Sequence, residues 1–248
     1  MGSLTDLLFE LSSEDRIAIM RRLSEEPLKL SHVANRLDIT VTESSRHLQR
    51  LSDTGLIQKD ADGLYEVTPY GSLVLSLVPG LDFASRNRSY FTEHSSSVLP
   101  PKFTNRIGEL SAGKRLSDTM TTFAHINQIL SNAEEFAFSM NNNPIPLRGI
   151  SLSEKNDTRS ILQEGISLQD IARERGAHIR GDIKRRFLPN VQVFILVTEK
   201  EAMFSLPYLN GNIDYCSFTG KDPGFRGWCG DLFLHFWEEA RPNPSISS

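Results

Sequence analysis

Apolar positions near the start of the chain fall at helical spacing, beginning with Leu4, Leu7, Leu8 and Leu11. Ser12-Ser13-Glu14-Asp15 then supplies cap residues and acids for a second helix with Ile17, Met20 and Leu23 inward, and Pro27 stops it. Ser31 is placed to cap a short third helix that turns Val33, Ala34 and Leu37 to the core, and Asp38-Ile39 is a tight turn into a fourth. The fourth helix, from Thr40 to Leu56, carries both of its boundaries. Thr40 and Glu43 form a capping box, and Gly55 supplies the left-handed residue that ends the helix. Ser44, Leu48 and Leu51 share one face, and Thr42, Ser45, Arg46 and Gln49 share the other. Leu56-Ile57-Gln58-Lys59 and Leu64-Tyr65-Glu66-Val67 are extended runs joined by Asp60-Ala61-Asp62-Gly63, which predicts a hairpin.

Leu73, Val74, Leu77 and Val78 continue a helix until Pro79-Gly80 breaks it, and Leu81, Phe83, Tyr90 and Phe91 suggest a second helical segment. Ser95-Ser96-Ser97 and Pro100-Pro101 mark a turn before a helix containing Ile107 and Leu110. Met120, Phe123, Ile126 and Leu130 make one amphipathic face, while Phe136 to Met140 reads as a strand. Val191 to Val197, rich in β-branched and aromatic residues, is the strongest strand signal, and Ala202 to Leu206 is expected to pair with it across Thr198-Glu199-Lys200-Glu201. Trp228, Leu232, Phe236 and Trp237 stripe a final helix from Gly224 to Ala240, whereas Ser151 to Asn190 offers no motif. The expected fold class is two-domain α/β. A winged helix-turn-helix spans 1–78, a linker helix 79–95, an α/β domain 96–241 and a tail 242–248.

The chain has 248 residues, 39% of them hydrophobic, enough to bury two cores. Apolar runs fall well short of the roughly 20 residues that span a bilayer, and the N-terminus lacks a basic region before an apolar core. Cys216 and Cys229 suit a reduced compartment better than a disulfide framework, so the cytoplasm is the expected location, with a redox role for either thiol left open. Charge is distributed unevenly. Residues 1–80 hold 8 Lys and Arg against 12 Asp and Glu, and the remaining 168 hold 19 of each. Any nucleic-acid contact by the first domain therefore has to rest on locally concentrated bases.

Ser45-Arg46-His47-Leu48, Leu51, Gly55-Leu56-Ile57, Gly63 and Leu64-Tyr65-Glu66-Val67-Thr68-Pro69-Tyr70-Gly71 together resemble an ArsR-like winged-helix DNA-binding domain. The metal-sensing members of that family carry a cysteine pair in the helix before the recognition helix. Here that helix reads Ser31-His32-Val33-Ala34-Asn35-Arg36-Leu37, so the resemblance implies no metal site. Tyr90-Phe91-x-x-His94, Arg106-Ile107-Gly108-Glu109-Leu110, Ala133-Glu134-Glu135 and Phe225-x-x-Trp228-Cys229-x-Asp231-Leu232-Phe233-x-x-Phe236-Trp237 resemble the sensing domain of archaeal winged-helix regulators of filament formation and methanogenesis. The resemblance implies a homodimeric transcription regulator whose partners are double-stranded DNA and a small-molecule effector, with no cofactor.

Arg46 is the foremost candidate for base readout, because a guanidinium can fork onto guanine O6 and N7; the alternative is a solvated surface arginine. Thr42, Ser45 and Gln49 share its face, and Arg50 and Lys59 are candidate phosphate contacts. The acidic tip Asp60-Ala61-Asp62-Gly63 argues against a wing in the minor groove. Tyr208, Asp214, Arg226 and Trp228 are candidate ligand-binding residues, for which Trp228 has core packing as an equal alternative. Arg173, Arg175, Arg180, Lys184, Arg185 and Arg186 crowd one span that either attracts an anion or forms a solvated face. An enzyme is not expected: the six histidines lack metal-ligand spacing, His178-Ile179-Arg180 stands where a phosphodiesterase would carry His-x-Lys, and no Gly-x-Ser-x-Gly or P-loop occurs. The alternative function is a winged helix that binds proteins without sequence-specific DNA contact.

Overall fold

The computed structural model describes residues 3–142, 157–166 and 183–242. The chain divides into two compact units, Met1–Pro79 and Gly80–Ser248. It is mixed α/β, with a helical first unit and a large sheet in the second.

The first unit runs α1 (Leu4–Leu11), α2 (Glu14–Glu25), β1 (Leu28–Lys29), α3 (Leu30–Leu37), α4 (Val41–Asp53), β2 (Ile57–Lys59) and β3 (Leu64–Val67), followed by α5 (Pro69–Arg86). Side-chain caps fix the starts of α1, α2 and α4 at Ser3, Ser13 and Thr40. Ser31 does not cap α3; it lies inside a helix that starts at Leu30 directly from β1 and has no side-chain cap. Asp38 in the left-handed region (φ 54) makes the turn into α4, and Gly55 (φ 74) makes the turn out of it. The sheet order is β1-β3-β2, all antiparallel, so the two-residue β1 completes the expected hairpin on its far side. Ile19, Met20, Leu23, Val33, Leu48, Leu51 and Leu56 form the core.

Pro79 lies inside α5 and does not end it. A proline removes one backbone donor and crowds the preceding turn, which kinks or weakens a helix without obliging it to stop. Gly71 in the first turn of α5 meets the chain closely: a Cβ there would sit 2.0 Å from the Leu56 carbonyl oxygen.

The second unit contains α6 (Arg88–Glu93), α7 (Pro101–Thr104), a 3-10 turn at Ile107–Leu110 in place of the expected helix, β4 (Lys114–Arg115), α8 (Thr119–Ser131), β5 (Phe136–Asn141), β6 (Asp157–Gln163), β7 (Lys184–Leu188), β8 (Phe194–Thr198), β9 (Ala202–Ser205), β10 (Phe218–Gly220) and α9 (Pro223–Glu239). Its sheet has the order β4-β10-β9-β8-β5-β6-β7. β5, β6 and β7 are mutually parallel, and the remaining pairs are antiparallel. α9 covers one face, where Phe233 stacks on Phe138 at 5.0 Å and Trp228 meets Phe204 at 4.8 Å. α8 lies on the other, with His125 reaching Glu201 and Thr219. Every residue of β8 is buried, which explains its unbroken apolar run. The strand begins at Phe194, so Val191 to Val193 lead into it without pairing. β6 and β7 fall in the span that showed no motif.

Candidate DNA-contacting face and candidate ligand site

α4 is held rigid at its start. The Thr40 hydroxyl oxygen accepts the Glu43 N–H at 3.2 Å, and the Glu43 carboxylate accepts the Thr40 N–H at 3.0 Å and its hydroxyl at 2.7 Å. Those two bonds hold the Glu43 carboxyl below its usual range. Ser44, His47, Leu48 and Leu51 point inward, so Thr42, Ser45, Arg46 and Gln49 are left exposed on one stripe. Gln49 donates to Asp53 at 2.7 Å, one turn on. Arg46 makes no hydrogen bond or ion pair with the described residues. His47 lies 3.7 Å from the Asp15 carboxylate, and burial pushes its imidazole below its usual range.

Arg50 is placed differently from a phosphate contact. Its Nε and Nη2 fork onto the Glu10 carboxylate at 3.1 and 2.6 Å, and its guanidinium lies 4.9 Å from the centre of the Phe9 ring. Arg16 joins the same carboxylate at 3.0 Å and donates to the carbonyls of Glu10 and Phe9. Arg50 therefore ties α4 to α1, and its hydrogen bond lowers the Glu10 carboxyl below its ordinary value. Lys59 ends β2, exposed, with its ammonium 5.3 Å from the centre of the Tyr65 ring. At the hairpin tip Asp60 accepts the Leu64 N–H at 2.8 Å and Gly63 has φ 82, so one of the two tip carboxylates closes the turn.

In the second unit the structure brings together two of the four ligand candidates. The Asp214 carboxyl is hydrogen-bonded to His94 Nε2 at 2.9 Å and accepts the Cys216 N–H at 2.8 Å, with Arg115 at 4.0 Å. His94 Nδ1 donates to the Tyr90 carbonyl at 2.7 Å, and its ring lies between Tyr90, at 3.7 Å, and Tyr208, at 4.5 Å. Burial and the Asp214 charge push the Tyr208 phenol above its usual value. The Cys216 thiol is also pushed up, by burial and then Asp214, and complete burial drives Cys229 well above the usual thiol range. Both are held as thiols, which lowers their reactivity as nucleophiles.

Arg226 and Trp228 lie elsewhere. Arg226 donates to the carbonyls of Lys221 and Glu199 and borders a groove of about 370 Å³ along α9, beside Phe136, Phe138, Gly227 and Gly230. Trp228 is fully buried and donates its indole N–H to the Phe103 carbonyl at 3.0 Å, so core packing accounts for it. Of the basic run, Arg173, Arg175 and Arg180 fall outside the described residues; Lys184 pairs with Asp157 at 2.9 Å, and Arg186 donates to the Trp237 carbonyl. His178 is also outside the described residues. His94 and Arg115 belong with Asp214 and Tyr208 but were absent from the sequence-derived site. The only signal for His94 was its place in Tyr90-Phe91-x-x-His94.

The fold and these sites define a two-unit α/β chain with an exposed polar helix face in the first unit and buried titratable clusters in the second. Residues 4–87 match the family described as the HVO_A0261 N-terminal domain. No curated protein matches the chain. Among solved structures, TrmBL2, described as an archaeal chromatin protein with a novel mode of DNA binding, is 12% identical with a TM-score of 0.39, and covers 92% of each chain. The calicheamicin-biosynthesis methyltransferase CalO1 is 10% identical with a TM-score of 0.26, covering 77% of this chain and 70% of its own. An O-methyltransferase family protein from Burkholderia thailandensis is 12% identical with a TM-score of 0.27, covering 74% and 65%. Among the described residues no helix is long and apolar enough to cross a membrane, and no cluster of His, Cys, Asp and Glu could hold a metal.

Proposed function

We propose that the chain is a cytoplasmic DNA-binding transcription regulator without catalytic activity, in which a ligand bound to the second unit changes operator affinity. The observation that carries this reading is α4: capped at its start, packed on one side, and presenting Thr42, Ser45, Arg46 and Gln49 to solvent on the other. The order of three helices, α4 and a hairpin edged by β1 supports reading the unit as a winged helix, an arrangement that lays its recognition helix in the major groove. Arg50 acts in this reading by positioning α4, and Lys59 remains a phosphate contact.

A homodimer is supported by α5. Leu73 and Leu77 are 60% and 63% exposed, one turn apart, in a stretch without charge from Val67 to Leu81. Two recognition helices about 34 Å apart then read a near-palindromic site. The test is fluorescence anisotropy on fragments recovered from genomic DNA. Arg46→Ala is expected to weaken binding roughly 5- to 160-fold, the equivalent of about 1 to 3 kcal/mol for a bidentate base contact. Unchanged affinity refutes the reading.

The acidic balance of residues 1–80 favours a second reading, a winged helix that binds proteins. Salt separates the two, because each neutralised phosphate adds roughly one power of salt dependence to DNA binding.

A further inference from the structure

Val41 opens α4, is 55% exposed and takes no part in the core of the first unit. Single exposed apolar residues are common and need no explanation by themselves. Helix propensity and position set this one apart. Valine is a weak helix former whose branched Cβ loses rotamer freedom in a helix, so alanine or a straight-chain polar residue would serve the start of α4 better. The apolar staple of a helix start does not require it either. That device joins the residue before the cap to the fourth helical residue, here Ile39 and Ser44.

Val41 stands one turn before Ser45 and beside Thr42, both exposed, on the stripe that continues through Arg46 to Gln49. The acid of that first turn, Glu43, is turned back onto the Thr40 N–H and hydroxyl. An approaching surface therefore meets the isopropyl group of Val41 and the methyl and hydroxyl of Thr42, with Ser45 too short to hold the helix away. Val41 has no charge or hydrogen-bonding group for a phosphate or a polar base edge. The apolar feature that base edges present in the major groove is the C5-methyl of thymine, and recognition helices bring their N-terminal residues to those edges. Arg46 lies five residues on, about 7.5 Å along the helix axis, which corresponds to roughly two base-pair steps.

We propose that Val41 is a specificity-determining residue that reads the C5-methyl group of a thymine, within about three base pairs of the guanine taken by Arg46. This rests on the reading of α4 as a recognition helix, and states what the start of that helix selects. The test uses the genomic fragments of the anisotropy assay, amplified with either dTTP or dUTP, because uracil pairs as thymine does and lacks only the methyl. The parent chain is expected to bind the uracil fragments roughly 4- to 15-fold more weakly, for one methyl contact or for one in each half-site. Val41→Ala should bind the thymine fragments more weakly by a similar factor and lose most of the difference between the two fragments. It should melt no lower than the parent, since the side chain is exposed and alanine is the better helix former. Equal affinity of the parent for both fragments overturns the proposal, as does a thymine-to-uracil difference that Val41→Ala leaves intact. So does a marked fall in the melting temperature of that variant, which would make the valine a structural group. A difference abolished by Thr42→Ser, which keeps the hydroxyl and removes the methyl, and untouched by Val41→Ala, moves the contact to Thr42. Single uracil substitutions through the bound site then locate the thymine, and one lying beyond about three base pairs from every guanine refutes the spacing. A chain that binds no fragment at all defeats the reading of α4 itself, whereas binding without a methyl effect defeats Val41 alone.

Discussion

Glu10→Ala is the perturbation that most directly tests how α4 is held. Glu10 is the common acceptor for Arg16 and Arg50, and its side chain is 7% exposed against 9% for Arg16 and 38% for Arg50. Removing one partner of a fully buried pair costs about 3 to 5 kcal/mol, because the other charge is left unpaired. Arg50 can recover hydration, so its share is reduced towards the ~0 to 1 kcal/mol of a surface pair. Arg16 keeps its bonds to the carbonyls of Glu10 and Phe9, which softens the loss further. The expected destabilisation is about 2 to 4 kcal/mol, or roughly 10 to 20 °C in Tm for a unit of this size. Guanidinium unfolding followed by far-UV circular dichroism measures it. Tryptophan fluorescence serves as the control, because Trp228 and Trp237 both belong to the second unit. The folded Glu10 carboxyl titrates below its ordinary value, so its contribution is fully present above about pH 4.5 and is lost as pH falls through the folded value. The gap between parent and variant should close below that range. A variant within about 0.5 kcal/mol of the parent at pH 7 would refute the idea that this network fixes α4.

Gly71→Ala places a Cβ 2.0 Å from the Leu56 carbonyl oxygen, so either α5 or the start of the hairpin must move. Soluble expression and thermal melting should show a loss of several kcal/mol, in the upper range for point variants, and a neutral result would mean the close approach is wrong. His47 titrates below its ordinary value because it is buried, so the unfolded chain binds its proton first. Its contribution to stability is complete above about pH 6.5 and declines as pH falls from there to the folded value, a dependence that His47→Gln should flatten in melts between pH 5 and 8, with an unaltered profile ruling it out.

How far the sequence revealed this arrangement depends on the range of the forces involved. The boundaries of α4 were legible because Thr40, Glu43 and Gly55 act within one turn of the helix they bound. The hairpin was legible for the same reason, through Asp60 and Gly63. Arg50 was read as a phosphate contact because nothing local names its partner; Glu10 lies 40 positions earlier and meets it only through tertiary packing. Trp228 had equal readings at sequence level, since a tryptophan at helical spacing serves a core or a pocket equally well until its indole partner, the Phe103 carbonyl, is known. β6 and β7 escaped notice because Thr158, Arg159, Ser160, Lys184, Arg185 and Arg186 interrupt the apolar pattern that marks β8. Pro79 was read as a stop because sequence rules weigh the lost donor and not the packing that carries a helix past it.

The acidity of the first unit changes meaning once its pairs are known. Glu10 is matched by Arg16 and Arg50, which tie α1 to α2 and α4, while the exposed pairs Arg22–Glu25 within α2 and Arg36–Glu26 offset part of the remaining cationic charge. Glu43 and Asp60 likewise serve a cap and a turn. Arg46 on α4 and Lys59 at the end of β2 are exposed and make no ion pair among the described residues. Few cations mean few displaced counterions, so non-specific affinity has little to draw on and base contacts must supply a large part of any operator binding. A single guanidinium then matters more than it would in a basic domain. Under the proposed reading, a homodimer, which doubles the number of such contacts without adding charge to either copy, is the physically economical way for an acidic domain of this kind to hold DNA.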